Sequence, residues 1–181
     1  SVAQTDTFIG GNNIRCFGQT TYLGLTVHGG YYLKPYSFIW SKDGNTLDNP
    51  NVEDLTNISA DTVTLSSVYS VNVEDYLGCS HIASYNITQP PDIILEDSIF
   101  PQTCGLIDAS INMNITGGTP GYNYKWEGPE NKTWYTKDID NLRFGEYYFT
   151  LTDTNSCISN GVYHIPPPTP ITITVIHKSI Y

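Results

Sequence analysis

Positive charge is scarce in this chain. It has 8 lysines and arginines against 18 aspartates and glutamates, for a formal net charge of −10. The few cations are scattered, whereas a nucleic-acid binder clusters them to displace phosphate counterions. No nucleic-acid partner is therefore expected. Long apolar runs are missing too. No stretch is long and apolar enough to cross a bilayer as a helix, so no membrane span is expected. Ala, Leu, Glu and Lys never build a sustained stripe at helical spacing. Cys-x-x-Cys pairs are absent, which argues against structural zinc. The 4 histidines, His28, His81, His164 and His177, form no H-E-x-x-H pattern. Nor is there a nucleophile elbow, a P-loop or a dinucleotide fingerprint. Gly10-Gly11, Gly29-Gly30 and Gly117-Gly118 lack the helix that follows a phosphate cradle and read as turns. Carboxylates are plentiful, but they fall mainly in turns, where they cap backbone N–H groups. Function has to be argued from a site, and no catalytic site is visible, so the chain is read as a non-enzyme.

What is present favours strands. Tyrosine (14), glycine (15) and proline (11) are frequent, with abundant Thr, Ser and Asn. That mixture suits pleated strands and turns and predicts an all-β fold. The 4 cysteines are Cys16, Cys79, Cys104 and Cys157. An even count in an acidic chain of this composition implies disulfides, an oxidising compartment and a secreted, extracellular or cell-surface location. The competing reading is four buried thiols in a reducing compartment. Ser1, standing where an initiator Met would, reads as a processed or truncated end.

A repeat organises the sequence. Ile115 to Trp126 runs Gly117-Gly118-Thr119-Pro120-Gly121-Tyr122-Asn123-Tyr124-Lys125-Trp126. The first half offers Gly29-Gly30, a loop, then Tyr36-Ser37-Phe38-Ile39-Trp40. Strand alternation places Tyr36, Phe38 and Trp40 on one face, and Tyr122, Tyr124 and Trp126 likewise, predicting the core side. Asp54 to Ile58 then matches Asp138 to Leu142, and Tyr69 to Cys79 matches Tyr147 to Cys157 without a gap. Tyr69, Val71, Val73 and Tyr147, Phe149, Leu151 form a second inward row. Asp75 and Asp153 open a turn.

Each copy also carries an upstream cysteine, Cys16 or Cys104. Four cysteines allow three connectivities, and sequence alone does not choose among them. The repeat suggests that equivalent cysteines have equivalent partners, giving the expected pairs Cys16–Cys79 and Cys104–Cys157. Each such loop closure would stabilise a small domain by about 3–4 kcal/mol. Proline clusters at Pro90-Pro91 and Pro166 to Pro170 mark stiff joints. The expected domains are residues 1–90 and 91–170, followed by a strand at 171–181.

These residues resemble the SprB repeat of large surface adhesins from gliding Bacteroidetes. The pattern is Gly-Gly-Thr-Pro-Pro-Tyr-x-Tyr-x-Trp, then Asn-Leu-x-x-Gly-x-Tyr and later Asp-x-x-Gly-Cys. Gly117 to Trp126, Asn141 to Tyr147 and Asp153 to Cys157 fit it, with Ser156 in place of the glycine. The first copy diverges, with a longer loop at Tyr31 to Lys34 and no glycine before Tyr69. The resemblance implies two tandem Ig-like antiparallel β-sandwiches at a cell surface. Export by the type IX pathway would be typical of the family, although its C-terminal sorting domain is not visible here.

Ile171-Thr172-Ile173-Thr174-Val175-Ile176-His177-Lys178-Ser179-Ile180-Tyr181 alternates apolar and polar residues after a proline joint. It reads as an orphan strand, with Ile171, Ile173, Val175, Ile176 and Ile180 as its assembly residues. A lone strand needs a sheet. Donation to the next copy would give a head-to-tail polymer. Truncation of a longer chain and fold-back on the second domain are the alternatives.

No cofactor is required, but calcium would suit the hard oxygens of Asp138, Asp140 and Asn141, and of Asp43-Gly44-Asn45, Asp48-Asn49 and Glu53-Asp54. Solvated turn residues are the plainer reading. Glycosylation candidates are Asn57, Asn86, Asn114 and Asn131 in sequons. Thr62 and Ser98 stand in Asp-Thr-Val and Asp-Ser-Ile, which resemble the O-glycosylation motif of Bacteroidetes. Tyr31, Tyr32, Trp134 and Tyr135 lie off the inward pattern and would suit a glycan or a neighbouring subunit. The expected function is an extracellular structural subunit of a pilus-like fibre joined by strand exchange. The alternative is a stalk or binding segment of a large adhesin contacting surface polysaccharide.

Overall fold

A computed structural model describes residues 6–11, 13–29, 35–48 and 51–174, the first of these segments by backbone alone. The described residues are almost wholly strand and turn, with one short 3-10 turn at Pro129–Asn131. The first repeat contains β1 (Asp6–Gly11), β2 (Thr21–His28), β3 (Ser37–Lys42), β4 (Asn45–Thr46), β5 (Leu55–Ile58), β6 (Ser66–Glu74) and β7 (Ser80–Thr88). The second contains β8 (Ile94–Phe100), β9 (Ala109–Thr116), β10 (Asn123–Glu127), β11 (Thr133–Trp134), β12 (Ile139–Leu142), β13 (Gly145–Thr152) and β14 (Ile158–Ile165).

Both repeats sort their strands identically. In the first, β1-β2-β5 forms one antiparallel sheet and β4-β3-β6-β7 the other. In the second, β8-β9-β12 and β11-β10-β13-β14 do the same. The reason is the alternation already visible in sequence. Leu23 and Leu25 from one sheet meet Trp40, Tyr69, Val71, Val73 and Ile87 from the other in a single buried cluster. Tyr36 and Phe38 pack at its margin. In the second fold Ala109, Ile111 and Met113 are buried, as are Trp126, Tyr147, Phe149, Leu151, Tyr163 and Ile165. Its aromatic residues touch one another. The Trp126 ring lies 4.4 Å from Phe149 and 5.3 Å from Tyr163, centroid to centroid. The inward rows expected from the repeat are the rows observed.

Buried polar atoms are handled the same way twice. The Trp40 indole N–H donates to the Val52 carbonyl at 2.8 Å, and that of Trp126 donates to the carbonyls of Thr136 and Lys137. Burial of an indole is tolerable because its one donor is satisfied. Tyr69 donates its hydroxyl to the Ser59 carbonyl at 2.8 Å, and Tyr147 donates to Arg143 at 2.9 Å. Tyr147, whose acceptor lies four residues upstream, makes a tyrosine corner near the start of the sixth strand of its fold, while Tyr69 reaches ten residues back. Burial raises the Tyr147 pKa, opposed by the Arg143 bond, with a smaller upward push from Glu130. Asp54 accepts the Leu25 N–H, and Asp138 accepts the Met113 N–H, each at 2.8 Å. Asn57 and Asn141, at matching places, both take positive φ (56° and 53°), where the registers of β5 and β12 shift. Asparagine tolerates that conformation better than most residues.

The chain divides into two compact units at Ile93. The first takes the described residues up to that point and two loops from downstream, Gly117–Pro120 and Thr154–Cys157. The second takes the rest. A partition by sequence position alone, with residues 91–170 as one block, does not foresee these two loops. Residues 171–174 carry no strand, and Ile171 and Ile173 are 86% and 84% exposed. Val175, Ile176 and Ile180 lie outside the described residues, as do Tyr31, Tyr32 and His177.

Trp126→Ala should lower stability by about 3–5 kcal/mol, the usual cost of deleting a fully buried large aromatic. Urea unfolding followed by circular dichroism measures it. A loss below about 1 kcal/mol would mean that the indole is not a core element.

Candidate functional site: a disulfide-closed loop cluster

All four cysteines lie in connections, and neither core contains one. Cys16 follows β1 and Cys104 follows β8, at equivalent places. Cys79 precedes β7 and Cys157 precedes β14, again at equivalent places. The observed bond joins Cys16 to Cys157, with Cα atoms 5.6 Å apart and a sequence separation of 141. Cys79 and Cys104 are free and exposed. The expected pairs Cys16–Cys79 and Cys104–Cys157 are therefore corrected.

The physical reason is the length of β7. The Ile14 N–H donates to the Thr88 carbonyl, and the Gly18 N–H donates to the Gln89 side chain. The Cys16 loop is thus anchored at the far end of β7, while Cys79 sits at its start. A strand of 9 residues spans about 26 Å at ~3.3 Å per residue. A disulfide cannot bridge Cα atoms more than about 7 Å apart. Equivalent cysteines therefore do not share equivalent partners here: Cys16 and Cys157 are bonded, whereas their counterparts Cys104 and Cys79 are free.

Around the bond, the two downstream loops of the first unit are tied down by hydrogen bonds. The Asn155 side-chain amide donates to the Arg15 carbonyl at 3.0 Å and to the Thr119 hydroxyl at 2.9 Å. The Thr154 hydroxyl donates to the Pro120 carbonyl at 2.6 Å. The Cys157 sulfur lies 3.3 Å from the Arg15 carbonyl oxygen. The Gly118 N–H donates to the Pro91 carbonyl at 2.9 Å. Gly117, at φ +79°, leaves no room for a side chain, since a Cβ there would fall 1.7 Å from the Asp92 carbonyl oxygen. The Gly-Gly motif is thus a turn whose first residue is pressed against the proline joint. Asp153, which opens the turn, is buried. In the matching turn, Asp75 accepts the N–H groups of Leu77 and Cys79 at 2.9 Å each.

The remaining candidates are dispersed. The Asp138 carboxylate accepts Met113 N–H and faces Lys137 at 3.5 Å, while Asp140 accepts the Asn141 side chain. Among the described residues no three His, Cys, Asp or Glu side chains gather as metal ligands. Of the other carboxylates considered for calcium, Asp54 accepts the Leu25 N–H and Asp43 the Val68 N–H. Asn57, Asn86, Asn114, Asn131, Thr62 and Ser98 are all exposed. Asn114 donates to Glu96, and Asn86 accepts from Ser66. Beside Thr62, Asp61 accepts the Thr64 and Val63 N–H groups and the Thr64 hydroxyl, which hold its carboxyl below the usual range. Trp134 is half-buried against Tyr147, at 5.9 Å between rings, and Tyr135 is exposed. On the outer face of the four-stranded sheet, exposed Tyr148 stands directly opposite exposed Val162.

No protein-family model matches the chain, and no curated protein matches it. Solved structures do. The insect immune protein hemolin is 14% identical, with a TM-score of 0.52, over 91% of this chain and 47% of that one. Three N-terminal domains of the outer capsid protein Hoc of bacteriophage RB49 are 21% identical over 90% of this chain and 59% of theirs, with a TM-score of 0.46. The mouse nectin-like molecule 4 ectodomain, Ig1 to Ig3, is 12% identical over 96% of this chain and 67% of that one, at 0.45. This chain spans less than two thirds of the Hoc and hemolin structures. With the strand order above, the likeness to hemolin shows the fold: both repeats are Ig-like antiparallel β-sandwiches.

Two outcomes test the loop cluster. Replacing Cys16 and Cys157 by serine should lower stability by about 2–5 kcal/mol, read by urea unfolding. The same change at Cys79 and Cys104 should stay within about 0.5 kcal/mol of wild type. Ser156 occupies φ +68°, where the first repeat has Gly78 at +82°. Left-handed backbone costs a non-glycine residue about 1–2 kcal/mol, partly offset by glycine's unfolded-state entropy. Ser156→Gly should accordingly gain about 0.5–1 kcal/mol, measured in the same way.

Proposed function

We propose that this chain is an extracellular structural segment: a pair of SprB-type Ig-like repeats that meets further copies end to end in a cell-surface fibre. One observation carries the reading. Two loops of the second repeat belong to the first compact unit, one held by the Cys16–Cys157 bond and the other by hydrogen bonds. A repeat completed by its successor is a unit designed for serial arrangement. The disulfide, the acidic surface and the exposed sequons support an oxidising, extracellular setting. Four residues that fit the SprB pattern have structural roles in the second repeat, which supports the reading. Gly117 makes the close approach, Trp126 fills the core, Tyr147 makes the corner, and Asp153 opens the turn before Cys157.

Strand exchange is the proposed means of joining copies. Ile171 and Ile173 follow a proline-rich segment and are exposed, so their apolar side chains are available to another sheet. The second reading, a stalk or binding segment of a large adhesin contacting polysaccharide, is favoured by the exposed aromatic rings of Tyr135 and Tyr148.

Deletion of residues 171–181 tests the first reading. Negative-stain microscopy and light scattering should show fibres of the full chain and folded monomers of the deletion variant. Fibres of unchanged length after the deletion would sink strand exchange. Monomers from both proteins would favour the stalk.

A further inference from the structure

The molecule contains its own comparison for the two cysteines that are free. By position in the fold, Cys104 is the counterpart of Cys16, and Cys79 is the counterpart of Cys157. Cys16 and Cys157 are bonded to each other. The bonded pair therefore takes its β1–β2 loop cysteine from one repeat and its β13–β14 turn cysteine from the repeat that follows. What remains is Cys104, in the β8–β9 loop of the second repeat, and Cys79, in the β6–β7 turn of the first, both free and exposed. These are the two unused halves of the same linkage. We propose that Cys104 of one copy forms a disulfide with Cys79 of a second copy of this chain, so that the array is covalently cross-linked head to tail. The inference rests on the reading that copies meet end to end.

The surroundings of both thiols fit a protein partner. Tyr76 and Leu77, in the turn that ends at Cys79, are 66% and 67% exposed. Leu106 and Ile107, beside Cys104, are also exposed. The bonded turn has polar Thr154 and Asn155 at the places of Tyr76 and Leu77, and these make the hydrogen bonds described above. The Cys79 turn would instead bury the side chain of Leu77 against the apolar Cys104 loop. Both loops are preformed. Asp75 holds the Cys79 N–H, and Asp108 accepts the Thr103 N–H at 2.7 Å, next to Cys104. The contact is heterologous, with different surfaces on the two copies, so repeating it gives an open array wherever the rotation does not close a ring.

The chemistry needs an oxidant of the disulfide class, here oxidised glutathione. The Cys79 thiolate attacks one glutathione sulfur, forming a mixed disulfide and releasing one glutathione thiolate. The Cys104 thiolate of the second copy then attacks the Cys79 sulfur and displaces the other glutathione. The two cysteines lose two protons and two electrons, and two reduced glutathione molecules leave.

The test uses the full chain incubated with oxidised glutathione, then non-reducing electrophoresis and peptide mass spectrometry. Wild type should give a ladder of dimers, trimers and longer species that collapses in reductant. Cys79→Ser and Cys104→Ser should each lose the ladder. Mixing those two variants should restore one band, a dimer whose linked peptides contain Cys79 and Cys104. Linkages of Cys79 to Cys79 or Cys104 to Cys104 in equal yield, an intrachain Cys79–Cys104 bond, or no linkage at all would overturn the proposal. Light scattering of the Cys79→Ser, Cys104→Ser double variant separates the two readings. Association without any cross-link in wild type overturns the cysteine pairing but leaves end-to-end assembly standing. A protein that neither cross-links nor associates overturns both.

Discussion

Each sandwich depends on one buried indole and on where its single N–H must point. Trp40 and Trp126 are fully buried between their sheets. A donor in that position has to be satisfied. The acceptors are carbonyls of the irregular stretches that lead from the short fourth strand of each fold to the fifth: Val52 in one, Thr136 and Lys137 in the other. The hydrogen bond thus decides how those stretches return. Asp54 and Asp138 follow directly and cap the second strand of each fold. Core packing, the crossover between sheets and the sheet-capping carboxylates are therefore parts of one arrangement, and it appears twice.

With no cysteine in the core, the sheets are held by packing, and the disulfide is free for another task. In antibody domains the bond links the second and sixth strands through the core. Here the corresponding interior is filled by Leu23, Leu25, Val71 and Val73, and by Ile111, Met113, Phe149 and Leu151. The cysteines have moved to loops at the two ends of each fold. A bond there does little to hold one sandwich shut, and here it holds a downstream loop in the first compact unit. Gly117 and Asn155 hold the same two loops in that unit through close packing and a hydrogen bond.

Much of this was readable from residue order. Period-two alternation identifies the inward rows Tyr36, Phe38, Trp40 and Tyr147, Phe149, Leu151, because a strand shows alternate side chains to one face whatever the fold around it. Asp75 announces its turn because a carboxylate two residues before a backbone N–H can accept from it. Asp138 and Asp140 were ambiguous. Hard oxygens on a loop look alike whether they hold calcium or cap a sheet, and only the Met113 N–H at 2.8 Å distinguishes the two. Ser156 was visible as a departure from a glycine pattern, and its positive φ shows what that glycine is for.

Residue order alone carries the all-β character, the duplication, the core rows and the equivalence of Cys16 with Cys104 and of Cys79 with Cys157. These follow from local properties: side-chain alternation, turn chemistry and self-similarity. Only the tertiary structure decided which cysteines meet. A disulfide depends on distance in space, and a nine-residue β7 holds Cys79 and the Cys16 loop at its opposite ends. Equivalence in the repeat could not say that Cys16 pairs with Cys157 of the other copy, or that Cys79 and Cys104 stay free.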